Sequence, residues 1–416
     1  VNGYRISGKI IVLPLIVFFL CFLKIATADE KISPAPAAGI KSSAENIPLD
    51  ERPSIKPEQD KLKHNTLGCL IPLSGTYAEY GRKASDAILL AMENFNEAHK
   101  TKWEVIFEDS GETEEAAKTA IANLASNKNM TAIIAIAGTS EAMEIAREAA
   151  KGKVPGIMIT SKQGVTTAGE NIFQHFLTPD QEIRALVKYA FQDLNCAIFS
   201  VLYPDDDYGR DMLKIFREEV RRIEGKVERT IPYDTNQTDF AREINKLSAR
   251  AVKDKSKPVA VDFEALFIPD SHARVKLIAS QLDFYHVKGF QLLGTSLWNS
   301  PDLLKGDASY LENAVFTDSY FKDSYNLETS NFVFDFSKAY EREPGNIEAL
   351  AYDTAGMIFR VIGDNDIKTI SDFTAGLMKM GSYRGATGNT YFDKNRVSRK
   401  TSFLLEVRKG KLNQMN

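Results

Sequence analysis

The stretch from Thr66 to Gly81, TLGCLIPLSGTYAEYG, constrains the fold more than any other part of the chain. Thr66 to Leu73 is a continuous apolar run with polar residues ahead of it and Ser74-Gly75 behind, and such a run reads as a strand buried on both faces. Pro72 falls near its end, where a missing ladder N–H costs least. The Ser-Gly pair breaks the strand, and a loop carries Thr76, Tyr77 and Tyr80 forward. From Arg82 a helix is expected, with Ala84, Ala87, Ile88, Ala91, Met92 and Phe95 on one face. Strand, loop and helix in this order put the loop at the carboxyl end of a parallel strand, where open α/β sheets bind their ligands. On this stretch alone, a βα loop without a role is an equally good reading, because one fold hosts many functions.

The alternation continues. Trp103 to Glu108, Thr131 to Ala137, Val154 to Thr160 and Ile172 to Leu177 read as strands, with helices over Glu112 to Asn127 and Ser140 to Ala150 between them. A second run follows, with strands at Ala197 to Tyr203, Val227 to Pro232, Ala260 to Ile268 and Phe290 to Gly294. Its helices cover Gln181 to Leu194, Tyr208 to Glu224, Asp239 to Val252 and Ala273 to Phe284. Strands alternating with helices mean βαβ units and parallel sheets. The remainder changes character: Leu327 to Arg342, Asn346 to Ile362 and Ile367 to Met380 are helical in pattern, and Tyr391 to Val407 carries short antiparallel strands. An α/β chain with two such sets and a helical tail points to two lobes around a cleft.

The front of the chain reads as export machinery. Arg5 and Lys9 precede an apolar core, Ile10 to Leu23, and Ala26-Thr27-Ala28 offers an A-x-A cleavage site. Residues 1–28 are therefore expected to be a signal peptide, with a mature chain from Asp29 in the periplasm; the apolar run is shorter than the roughly 20 residues of a spanning helix. Cys21 follows the bulky Leu20, which argues against lipid anchoring there. Residues 29–64, rich in Pro, Ala, Ser and charge, read as a flexible tether. Cys69 and Cys196 both fall in expected buried strands and are expected to be free thiols, a disulfide being the alternative open to an exported chain; the sequence shows no disulfide framework and no zinc pattern. The formal charge of −4 and the lack of a basic stripe give no hint of a nucleic-acid partner.

Five pieces carry a resemblance: PLSGTYAEYG (Pro72 to Gly81), IFEDSGETEEAAKTAIANL (Ile106 to Leu124), VPGIMITS (Val154 to Ser161), YPDDDYGRDML (Tyr203 to Leu213) and DTNQTDF (Asp234 to Phe240). In this order and spacing the chain, from about Leu67 to Val407, resembles the type I periplasmic solute-binding proteins of the leucine/isoleucine/valine-binding branch. The resemblance implies two Rossmann-like α/β lobes, a central cleft and three hinge crossings, near Leu177, Ser319 and Gly381. It divides the chain into a first lobe of 65–177 with 319–380 and a second of 178–318 with 381–416. It implies a small, amino-acid-like ligand, delivery to a membrane permease of an ABC transporter, and no cofactor.

Matched by position, the ligand contacts implied are Ser74 and Tyr80 from the first loop, and Thr139 and Ser140 after the third strand, where the family binds a ligand carboxylate. Ser161 and Gln163 follow the fourth strand; Tyr208, Asp270, Ser296 and Trp298 come from the second lobe. Hydroxyls and free N–H groups at helix starts and strand ends bind a carboxylate without burying an opposing charge, and aromatic rings wall the cleft. Ser140 reads equally well as a helix N-cap, and Tyr208 as a residue packing on its own helix. Asp205 to Asp207 reads as a solvated turn, because it lacks the glycine and distal glutamate of a calcium loop. The chain departs from amino-acid binders in having Gly164 where they keep a threonine and Ser296 where they keep an acid for the ammonium, a role Asp270 would have to fill. The stretches Phe263 to Tyr285 and Leu292 to Pro301 resemble instead penicillin-binding-protein activators, which implies a cell-wall synthase as the alternative partner. The histidines are scattered, and no metalloprotease, nucleophile-elbow, Walker or dinucleotide motif occurs, so a binding protein rather than an enzyme is expected.

Overall fold

The computed structural model describes residues 65–247, 259, 261–364 and 367–416. The expected leader and tether, and the far end of the helix expected over Asp239 to Val252, lie outside the described residues. The first βα set comprises β1 (Thr66–Ile71), α1 (Ala78–His99), β2 (Glu104–Asp109), α2 (Glu114–Ser126), β3 (Met130–Ile136), α3 (Ala142–Lys151), β4 (Gly156–Ile159) and β5 (Ile172–Gln174). The second comprises α4 (Pro179–Gln192), β6 (Ile198–Pro204), α5 (Asp207–Arg222), β7 (Lys226–Tyr233), α6 (Ala241–Leu247), β8 (Ala265–Phe267), α7 (His272–Phe284), β9 (Gln291–Gly294) and β10 (Val315–Asp318). Three helices follow, α8 (Leu327–Tyr340), α9 (Asn346–Asp364) and α10 (Ile370–Lys379). The chain then runs through β11 (Tyr383–Gly385), β12 (Gly388–Phe392), β13 (Ser398–Lys400), β14 (Phe403–Arg408) and β15 (Lys411–Gln414).

The first sheet is wholly parallel, in the order β2-β1-β3-β4-β5. The second has the order β15-β14-β10-β9-β8-β6-β7, parallel except at the β14 and β15 edge. Side-chain alternation along each strand sorts residues to two covered faces. In β1, Leu67, Cys69 and Ile71 pack with α1, α8, α9 and α10, whereas Leu70 packs with α2 and α3. In the second sheet Phe199, Val201, Phe267 and Leu293 face α4 and α5, while Leu202, Leu266, Phe316 and Leu405 face α6 and α7. The central strands of both sheets are thus buried on both sides, which is why they read as unbroken apolar runs, whereas the edge strands β2, β7 and β15 are only part-buried. Cys69 and Cys196 are both free and buried.

The chain passes from β5 into α4 around His175 to Thr178, and from β10 at Asp318 into the first-lobe core at Tyr320. The return passage differs from the sequence reading, which put it near Gly381. Ala386 and Phe392 belong to the core of the first lobe and Tyr383 packs against it, whereas Phe403 lies in the core of the second. The chain therefore goes over between Lys400 and Phe403, because the β11–β12–β13 hairpins cover the first lobe before β14 joins the second sheet. Two other departures concern short elements. α1 starts at Ala78 rather than Arg82, which puts Tyr80 on the first helical turn, and β10 and β15, of four residues each, are not among the strands read from the sequence.

The βα unit that opens each lobe is built on the same close approach. A Cβ on Gly81 would lie 1.8 Å from the carbonyl oxygen of Pro72, and one on Gly209 would lie 1.9 Å from that of Pro204. Each helix start can therefore fold down onto the end of its strand only because no side chain intervenes, and the two prolines mark where the strands stop. Gly81→Ala and Gly209→Ala are each expected to push the helix off its strand and to lower stability by about 1–3 kcal/mol, the usual cost of overpacking. Urea unfolding midpoints check this; unchanged midpoints would mean that the helix starts yield freely.

Candidate functional site

Parallel strands end at the same edge, and two of the interlobe passages leave from those edges, at the end of β5 and the end of β10. The carboxyl edges of both sheets therefore adjoin the hinge, and the loops there are the candidate site.

On the first lobe, the carboxylate of Asp109 gathers the loop after β1. Its Oδ1 accepts from the N–H groups of Leu73 (2.8 Å), Ser74 (3.2 Å) and Gly111 (2.9 Å). Burial alone would raise this carboxyl, but the serine and the backbone donors outweigh it and hold the group below its usual range. Glu112 Oε1 accepts from Thr76 N–H at 3.2 Å. Tyr77 and Tyr80, 65% and 57% exposed, stand next to this loop with their rings edge to face at 6.3 Å. After β3, Glu141 turns back on its own loop: Oε1 accepts from Gly138 N–H at 2.6 Å and Oε2 from the Ser140 hydroxyl. Ser140 is therefore not the N-cap that its position allowed; Glu141 precedes Ala142 as the cap residue. Thr139 is exposed and Ser161 half-buried. Gln163 is exposed in a loop pinned from below by Gln174, whose Nε2 donates to the carbonyls of Thr160 and Lys162 at 2.8 and 2.9 Å.

On the second lobe, Asp206 caps α5 by accepting from Gly209 N–H at 2.7 Å, and Arg210 bonds Asp205 and Asp207 at 2.7 and 2.9 Å. This fixes the acidic turn and leaves Tyr208 38% exposed on the first turn of the helix. Asp270 is already engaged, accepting from the Tyr233 hydroxyl at 2.6 Å and lying 3.9 Å from Arg274. The N–H of Ser296 donates to Glu182 at 2.5 Å. Trp298 is corrected by the structure: it is fully buried, its ring lying over Gly294, where a Cβ would come within 2.2 Å, and 5.9 Å from the Phe316 ring. The glycine leaves room for the indole in the core, so this ring walls no cleft, and Leu297 is the exposed residue of that turn.

Beneath these loops the passages are laced by buried polar groups. Asp318 accepts from Asn299 of the second lobe at 2.6 Å and from Asn346 at the head of α9 at 2.8 Å. Glu182, at the start of α4, accepts from the Thr317 hydroxyl at 3.2 Å. Burial pushes the Glu182 carboxyl up to about 7 and that of Asp318 up to about 6. Across the other two passages, Lys400 Nζ donates to His175 Nε2 (2.9 Å), Thr387 (2.6 Å) and Thr390 (2.9 Å). His175 Nδ1 lies 2.8 Å from the Thr354 hydroxyl, whose own proton goes to the Leu350 carbonyl. The ring is thus neutral, in line with burial and the Lys400 charge lowering its basicity, and burial pulls Lys400 itself down to about 8. The acids Asp109, Glu141, Glu182 and Asp318 were missed in the sequence; the signal present was their place at strand ends and helix starts. Among the described residues no group of three or more His, Cys, Asp and Glu side chains could hold a metal ion, and no helix is long and apolar enough to cross a membrane.

A family model described as periplasmic binding protein matches residues 65–411. The chain belongs to this family. No curated protein matches it in sequence. Among solved structures, a Rhodospirillum rubrum protein proposed to be a branched-chain amino acid ABC transporter shares 19% identity at a TM-score of 0.76, over 85% of this chain and 100% of that one. The branched-chain amino acid substrate-binding protein LivJ of Streptococcus pneumoniae, solved with isoleucine, shares 22% identity at a TM-score of 0.63, over 84% of this chain and 98% of that one. A solute-binding protein of an ABC transporter from R. palustris, solved with benzoate, shares 16% identity at a TM-score of 0.59, over 85% and 96%. These likenesses fix the fold of this binding protein as the type I arrangement of two α/β lobes.

The raised Glu182 carboxyl has a signed consequence. Its folded-state value lies above the ordinary 4.5, so the folded protein binds this proton more readily than the unfolded chain. Its contribution to stability is full below about pH 4.5 and is lost as pH rises through about 7. Glu182→Gln keeps an oxygen for Ser296 and Thr317 and removes the charge. Its melting temperature is expected to exceed the wild type at pH 8 and to approach it at pH 5; equal differences at both would contradict the assignment.

Proposed function

We propose that this binding protein is exported and captures a small polar ligand, amino-acid- or amide-like, between its lobes for delivery to an ABC-type permease. The observation that carries the reading is the pairing of exposed tyrosines at the helix starts of both lobes, Tyr77 and Tyr80 on α1 and Tyr208 on α5, beside sheet edges that adjoin the hinge. Rings at such edges, well exposed on α1 and partly exposed on α5, are available to close on a ligand held from both sides. Family membership supports solute binding, and the charge, apolar core and A-x-A order of residues 1–28 supports export to the periplasm. Ser74, Thr139, Ser161, Gln163 and Ser296 remain rim positions in this reading; Asp270 enters it only by exchanging Tyr233 for the ligand.

A thermal-shift screen of amino acids, amides and amines identifies a ligand, because one that binds only the folded state raises the melting temperature. With that ligand, Tyr80→Ala and Tyr208→Ala are each expected to weaken binding by about 2 kcal/mol, the worth of burying one such side chain. Calorimetry checks it. A ligand whose affinity depends on only one of the two tyrosines would place the site on a single lobe and contradict the reading.

A further inference from the structure

We propose that the protein carries a second binding site, a cavity at the third interlobe passage that takes a saccharide. It shares no residue with the loops of the candidate cleft, and the cleft reading stands or falls without it.

The cavity holds about 450 Å³ and is walled from both lobes. One wall is the head of α8 with the β11–β12 hairpin of the first lobe; the other is the passage through Thr401, Ser402 and Phe403 with the end of β15. Both walls are fixed by the chain's own bonds. The hairpin tip is pinned by the buried Asp353, which accepts from the N–H groups of Ala386 and Thr387 at 2.8 Å each. Thr329 at the start of α8 adds a hydroxyl bond to the Ala386 carbonyl at 2.9 Å. On the other side, Asn416 accepts from Leu404 N–H at 2.9 Å and donates to the Ser402 carbonyl at 2.7 Å, which ties the end of β15 to the passage. A pocket with preset walls costs a ligand little ordering, and the volume is that of a small-molecule site.

The groups left open decide what the cavity takes. Ser402 is 5% exposed, and its hydroxyl has no hydrogen-bond partner among the described residues; the same holds for the buried side-chain carbonyl of Gln414. Buried polar atoms without partners are costly, so a ligand that supplies them gains affinity. Arg384 and Glu328 also line the cavity, and neither is in an ion pair among the described residues. Asn326 and Asn389 add amides that both donate and accept. Tyr325, 69% exposed, presents its ring, with its hydroxyl held by the Asn416 carbonyl. A saccharide matches this set. Each of its hydroxyls donates and accepts, and the C–H face of a pyranose packs on an aromatic ring while its edge bonds amides, guanidinium and carboxylate. A small zwitterion would use the two charges and leave the ring and the amides idle. An apolar ligand would bury Arg384 and Glu328 unpaired, which is prohibitive.

The test uses the full chain with glucose, galactose, N-acetylglucosamine, maltose and cellobiose, read by saturation-transfer NMR and calorimetry. At least one is expected to bind with a Kd below about 1 mM. Tyr325→Ala and Arg384→Ala are each expected to weaken that saccharide at least about tenfold, and Ser402→Ala about threefold. Tyr325→Phe keeps the ring and is expected to stay within about threefold of the wild type. Tyr391→Ala removes an exposed tyrosine of β12 outside the cavity and is expected to change nothing. Tyr325 and Arg384 are exposed, so their variants carry the test even if Ser402→Ala folds poorly. No binding of any of the five at about 10 mM, or binding that survives both Tyr325→Ala and Arg384→Ala, overturns the inference and leaves the cleft reading untouched.

Discussion

Asp318 is the group on which the two-lobed arrangement turns. Its buried carboxylate is bonded to Asn299 of one lobe and Asn346 of the other, and it also takes the N–H groups of Ser319 and Tyr320 where the chain goes over. A buried carboxylate is tolerated only when its lone pairs are filled, and here the donors that fill them come from both lobes. Removing one donor would leave a charge uncompensated, so the lobes are tied at this point by the cost of parting rather than by the worth of the contact. Lys400 anchors the first-lobe side of the other two passages, reaching His175 from β13 and, through Thr387, the buried Asp353. Hinge geometry is thereby set by polar bonds, while each lobe keeps an apolar core of its own.

This division explains what the first-lobe and second-lobe loops can do. The sheets are stiff and doubly covered, and the loops at their carboxyl edges are fixed by side chains of the same lobe: Asp109 and Glu141 on one, Asp206 and Arg210 on the other. Such preset loops do not need ordering when a ligand arrives, which is the condition for lobes that close as rigid bodies.

Much of the fold was legible because the strands are buried on both faces and so leave unbroken apolar runs such as Thr131 to Ala137. The third passage was not legible, because the short β11–β13 hairpins carry no long apolar run and belong to either lobe on pattern alone. Which residues fall at strand ends and helix starts was legible, and the surroundings of their side chains were less so. The family resemblance, matched by position, placed Trp298 in a cleft, but the room beside Gly294 decides its burial, and that is a fact of three dimensions. The Glu141 side chain folds back onto its own loop, which no spacing rule records.

The central claim is that a ligand held from both lobes closes the hinge, since only a difference in affinity between open and closed forms can shift that equilibrium. Small-angle X-ray scattering of the full chain, with and without a saturating ligand from the screen, tests it most directly. The account predicts a smaller radius of gyration and a narrower distance distribution on binding. A scattering curve unchanged by a ligand that demonstrably binds would contradict it.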